Sequence, residues 1–112
     1  MDVALDMTFR ALADPTRRAV IQALGRGPAS VSDLARPFEM ALPSFLQHLK
    51  MLEDSGLVET RKVGRVRTCT LKPEALAAAG SWLEAQRNLW TKRLDQLDSL
   101  VLDLNEREEE TP

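Results

Sequence analysis

VSDLARPFEMALPSFLQHLKMLEDSGLV, residues 31–58, reads as two short helices joined by a turn and followed by a strand. The second helix, about 43–55, has two unlike faces. Phe45, Leu49 and Leu52 fall at i, i+4 and i+7 and line one side, which predicts burial. Pro43, Gln47 and Lys50 point the opposite way, with Ser44 and Leu46 on the flanks. Gly56 follows at the position where a left-handed residue ends a helix. Any surface helix can carry such polar residues. Its setting sets this one apart: a short helix lies before it and a basic hairpin after it.

Working outward, Met40, Ala41 and Leu42 form the turn into that helix, and the helix before it starts at Ser30 or Val31 and ends before Pro37. Ser30 suits an N-cap, and the free N–H groups of a helix start can hold a phosphate. Val31, Leu34 and Phe38 are expected inward. Upstream, residues 2–13 form a short helix with Leu5, Phe9 and Leu12 as its apolar stripe. Asp14 and Pro15 restart the chain as N-cap and first helical residue. That second helix buries Ala19, Val20, Ala23 and Leu24, and Gly25, Gly27 and Pro28 end it.

Downstream, residues 57–63 and 66–71 are rich in Val, Thr and Arg and read as strands joined at Gly64 and Arg65. Residues 57–72 hold Arg61, Lys62, Arg65, Arg67 and Lys72 against Glu59, a net of +4. Residues 95–112 carry a net of −6. The whole chain is at −2, but local charge sets the field over a binding face. A two-faced helix beside a basic hairpin is the layout of a recognition helix entering the DNA major groove.

The last helix starts at Pro73 and is expected to run to about 106. Leu76, Leu83, Trp90, Leu97 and Leu104 recur every seven residues, and Leu94 and Val101 add a second seam. Such a repeat favours pairing with another helix. At about 1.5 Å per residue the helix outruns what a small domain can cover, so part of it is expected on a second chain. Gly80 and Arg87 are the two interruptions. Residues 1–106 read as one domain with residues 73–106 as its dimerisation helix, and 107–112 as a disordered acidic tail.

Composition narrows the class. With 112 residues, 44% of them hydrophobic and 29% charged, the chain is globular and long enough to bury roughly two thirds of its unfolded surface. A single cysteine, Cys69, forms no internal disulfide and suits a reducing cytoplasm. No basic stretch leads into an apolar run at the N-terminus, and no run approaches a membrane span, so no membrane partner is expected. No Gly-rich phosphate loop, paired nucleophile and base, or metal constellation supports an enzyme.

Three segments together resemble the ArsR family of bacterial winged-helix repressors: residues 11–18 (ALADPTRR), residues 42–58 (LPSFLQHLKMLEDSGLV) and residues 64–68 (GRVRT). The likeness covers about residues 5–104. It implies a mainly α winged helix-turn-helix fold with one β-hairpin wing, dimerised through the N- and C-terminal helices. It also implies a homodimeric repressor that blocks promoter DNA. Two departures matter. Where metal-sensing members carry Cys-x-Cys, this chain has Ser30 and Ser32, and its one histidine is His48. One Cys and one His cannot make the family's soft-metal site, so no metal and no cofactor are expected. Trp82-Leu83 and residues 89–94 (LWTKRL) resemble a branch without such sites. The second departure is in the recognition helix, where Ala41 replaces the usual hydroxyl cap and Leu42 and Leu46 replace polar residues, which suits contact with thymine methyl groups.

The DNA-binding candidates are Ser30, Pro43, Ser44, Leu46, Gln47, Lys50, Lys62, Arg65 and Arg67. Gln47 and Ser44 suit base edges, Lys50 a phosphate, and Lys62, Arg65 and Arg67 the backbone or minor groove. The dimer candidates are Leu5, Phe9, Leu83, Trp90, Leu94, Leu97 and Val101. His48 is a packed, hydrogen-bonded residue or a base reader. Cys69 reads as a small structural residue, and Arg17 and Arg18 as local helix contacts. No pattern singles out a small-molecule effector; the helices near Trp82 and Trp90 are where one would sit. The competing reading is a winged-helix module that binds protein instead of DNA.

Overall fold

The computed structural model describes residues 2–109. Helices α1 (Val3–Leu12) and α2 (Pro15–Leu24) precede a two-residue strand, β1 (Ala29–Ser30). Then come α3 (Val31–Ala35), α4 (Leu42–Asp54), β2 (Val58–Val63), β3 (Val66–Leu71) and α5 (Pro73–Glu109).

Most of these boundaries have local causes. Asp2 caps α1 by accepting the Leu5 N–H at 3.1 Å, and Asp14 caps α2 by accepting the Arg17 N–H at 3.1 Å. Ser30 caps α3 by accepting the Asp33 N–H at 3.1 Å. At the end of α4, Gly56 takes φ +78°. The Leu57 N–H then reaches back to the Leu52 carbonyl and the Gly56 N–H to the Glu53 carbonyl, each at 3.0 Å. This paired closure satisfies two orphan carbonyls. It also brings Leu52 and Leu57, both fully buried, into the core at the point where the helix hands over to the sheet.

Phe45, Leu49 and Leu52 supply α4's buried side. They share a core with Ala11, Val20, Leu24, Leu34, Leu57, Val58 and Cys69. Phe38 stacks on Phe45 with ring centroids 5.7 Å apart. Val31 and Phe38, expected inward, are half-buried beside this core, as are Leu12 and Ala23. The core fixes which side of α4 faces out.

The hairpin pairs Val58 with Leu71, Thr60 with Cys69, Lys62 with Arg67 and Val63 with Val66. Gly64 takes φ +63° at the first turn position while Arg65 does not go positive, the two-residue loop that matches strand twist. The sheet has a third strand that the sequence does not announce: Ala29 pairs with Cys69 and Ser30 with Thr68, giving the order β1-β3-β2. Two residues are too few to show alternation, and the pairing exists only once the chain has folded back on β3.

The chain divides into two compact units, Met1–Ala79 and Gly80–Pro112, where the sequence reads as one domain. The second is helix throughout its described length. In the first unit the start of α5 packs Ala75 and Leu76 on the core and buries Ala79. Helical structure continues through Gly80 and reaches Glu109, so the expected tail from 107 is corrected: residues 107–109 are helical. Asp103 and Arg107, one turn apart and 3.4 Å from each other, favour that extension. Residues 110–112 of the expected tail lie outside the described residues. Among the described residues no helix is long and apolar enough to cross a membrane.

Candidate nucleic-acid interface

Arg17 helps set the position of α4. Its Nε donates to the Ala11 carbonyl at 2.7 Å and its Nη2 to the Arg10 carbonyl at 3.1 Å, closing the C-terminal end of α1. Its Nη1 lies 3.0 Å from Nδ1 of His48 on α4. Arginine only donates, so Nδ1 is the acceptor in this contact. Arg18 donates to the Leu12 carbonyl at 2.8 Å. Both arginines thus make the local helix contacts expected of them. His48, half-buried and bonded to Arg17, is the packed histidine of the two sequence alternatives. Asp14 stands 3.7 Å from it. Burial pushes the Asp14 carboxyl up, but the Arg17 and Thr16 N–H groups and the neighbouring His48 and Arg17 side chains outweigh it and hold the group below its ordinary value.

With its buried side fixed, α4 presents Pro43, Ser44, Leu46, Gln47 and Lys50 to solvent, all exposed. No side chain caps its start, because Ala41 has none to offer. Gln47 and Lys50 line a cleft of about 280 Å³ with Met7 and Arg10 of α1. Arg10 is an exposed cation that the sequence reading missed. Its only signal was its place off the apolar stripe of α1, and nothing in the local pattern ties it to α4.

The hairpin sorts its charges by face. Side chains alternate, so Val58, Thr60 and Lys62 share one face of the sheet with Leu71, Cys69 and Arg67. Val58 and Cys69 sit in the core, and Thr60 donates to Glu53 of α4 at 3.2 Å. Lys62 and Arg67 therefore continue, towards the tip, the face that α4 packs against. On the other face Arg61 is paired with Glu59 at 3.2 Å. Like charges directly opposite each other, as Lys62 and Arg67 are, cost stability. Among the described residues no carboxylate pairs with Lys62, Arg65, Arg67 or Lys50 within 4.0 Å. An anion outside the chain would relieve that repulsion.

Known proteins share this arrangement. A helix-turn-helix domain model matches residues 12–61. The HTH-type transcriptional regulator Rv2034 of Mycobacterium tuberculosis is 38% identical over 86% of this chain and 87% of its own length. The crystal structure of an ArsR family transcriptional regulator, RHA00566, is 57% identical with a TM-score of 0.75, covering 79% of this chain and 91% of that one. The chain belongs to the ArsR family of winged helix-turn-helix repressors. It is a DNA-binding transcriptional regulator, with α4 as the second helix of the helix-turn-helix and the β2–β3 hairpin as the wing. A further ArsR-type neighbour, a homodimeric winged helix-turn-helix DNA-binding domain from Mycobacterium bovis, is 26% identical with a TM-score of 0.60, over 77% of this chain and 82% of that one.

The metal sites of some ArsR proteins do not fit these residues. The Ser30 hydroxyl is engaged by the Asp33 N–H, His48 Nδ1 by Arg17, and Cys69 is fully buried. Among the described residues no three His, Cys, Asp or Glu side chains converge to hold an ion. Ser30 is also set apart from the other DNA-binding candidates. Its partner Thr68 lies on the sheet face opposite to Arg67, and Asp33 places a negative charge in the first turn beside it.

Proposed function

We propose that this ArsR-family chain is a homodimer that represses transcription by occupying an inverted repeat at a promoter. Ser44 and Gln47 contact base edges in the major groove, Pro43 and Leu46 pack beside them, and Lys50 holds a phosphate. Lys62, Arg65 and Arg67 grip the backbone from the wing. The observation that carries this reading is the cluster of unpaired cations on the hairpin face continuous with α4. It also disfavours a protein-binding module, for which facing lysine and arginine side chains would be a liability.

Dimerisation is supported by the second unit. Leu83, Trp90, Leu94, Leu97 and Val101 are 48–61% exposed along one helix, an apolar stripe in need of cover. The homodimeric Mycobacterium bovis neighbour supports the same assembly. Leu5 and Phe9 of α1, both half-buried, are further proposed contacts. The family's role as regulators and the donor set above support a cytoplasmic protein that is not an enzyme and works without a cofactor or metal.

Binding titrations on a duplex enriched from a random pool, and on an unrelated duplex, test the residue roles. Gln47→Ala should narrow the gap between the two, and Arg65→Ala should weaken both alike. Equal losses on both duplexes for both variants would contradict the assignment.

A further inference from the structure

Two large apolar side chains of α4 reach solvent along the edge of its buried side. Leu42 is 55% exposed and Leu46 37%. Four residues apart, they sit on adjacent turns along one edge of the helix. A lone exposed leucine needs no explanation. A pair in the first half of a recognition helix, where polar residues would serve solubility better, does call for one.

The surroundings indicate what covers them. Leu46 lines a cleft of about 350 Å³ with Lys50 and Arg67, between α4 and β3. Glu53 and Asp54 lie along the same cleft, and Glu53 already accepts a hydrogen bond from Thr60. Leu46, one turn along from Leu42, thus stands beside two cations, Lys50 and Arg67, that suit a phosphate backbone. An apolar protein surface would gain nothing from those charges. A duplex offers both features at once: phosphates along the edges of the groove and, on its floor, one apolar group, the C5 methyl of thymine.

We propose that Leu42 and Leu46 read thymine methyl groups in the major groove, so that part of the base preference of this chain is an apolar contact and not a hydrogen bond. The proposal rests on the DNA-binding arrangement given above and goes beyond it by naming the group that is read. Uracil keeps the O4 acceptor and the pairing of thymine and lacks only the methyl. Replacing single thymines by deoxyuridine therefore isolates this contact.

The test uses the full chain and a duplex enriched from a random 30-base-pair pool, with each thymine replaced in turn and binding followed by fluorescence anisotropy at fixed salt. At one or two thymines per half-site, uracil should weaken binding roughly fourfold, the change that burying one such carbon gives. In Leu46→Ala or Leu42→Ala, the thymine and uracil duplexes should bind equally at the affected position, with the salt dependence unchanged. Both side chains are exposed, so the variants should retain the wild-type circular dichroism spectrum. Uracil tolerated at every position, or a penalty that survives in both leucine variants, would overturn the proposal and leave DNA binding intact. Failure to enrich any duplex would overturn both.

Discussion

Cys69 shows how far a single residue can be assigned from burial alone. It is fully buried between β2 and β1 in the sheet, with partners Thr60 and Ala29. Burial, helped by the Glu53 carboxylate and opposed by Arg67, pushes its thiol from 9.0 up to about 11. A thiolate is the reactive form, so this cysteine is inert at neutral pH. The folded chain holds the proton more tightly than the unfolded one. That contribution to stability is complete below pH 9 and is lost as pH rises towards 11. Urea midpoints measured from pH 8 to 11 should fall more steeply for the wild type than for Cys69→Ala; parallel curves would contradict the assignment. At this scale the sequence was informative wherever chemistry is local. The i, i+4, i+7 spacing of Phe45, Leu49 and Leu52 and the capping roles of Asp14 and Ser30 need only neighbours a few residues away. The bond from Arg17 to His48 spans 31 positions, and only the packing of α2 on α4 creates it.

Among the elements, α4 and its exit carry most of the architecture. Gly56 at φ +78° has open space where a Cβ would go, so a side chain there meets no neighbour and pays only the left-handed backbone strain. Gly56→Ala should therefore cost about 1 kcal/mol, read from urea unfolding, with no change in the folded spectrum. A cost near zero would mean that the paired closure does not hold the helix end. The hairpin was legible from Val, Thr and Gly64, yet its meaning was not. Sequence gives five cations against one carboxylate, whereas register shows which of them face α4 and which is neutralised by Glu59. The strand β1 was hidden because its partner lies far along the chain. The extent of α5 was underread only at its end, because the acidic run from Glu106 reads as a solvated tail, whereas Arg107 pairs with Asp103 and the helix reaches Glu109. Gly80 costs about 1 kcal/mol within the helix, which a long run of favourable neighbours offsets.

For the molecule as a whole, residues 80–109 are about 45 Å of helix carrying an exposed apolar stripe, with Trp90 in its first half and Arg93 lying 5.9 Å from the Trp90 ring. Arg87, which breaks the seam in sequence, lies 4.0 Å from Glu84 on the same helix. A stripe of this kind gains most from a second copy of itself. Trp90→Asp would place a charge in that seam. Sedimentation velocity should then show a monomer where the wild type sediments as a dimer, and an unchanged dimer would reject the seam. Two copies would give two α4 helices for one duplex, with phosphate contacts making the affinity fall steeply with salt. The most direct test is a hydroxyl-radical footprint of the wild-type chain on its enriched duplex. The account predicts two protected patches related by a two-fold axis and about one helical turn apart. A single patch, or uniform protection without a pattern, would contradict it.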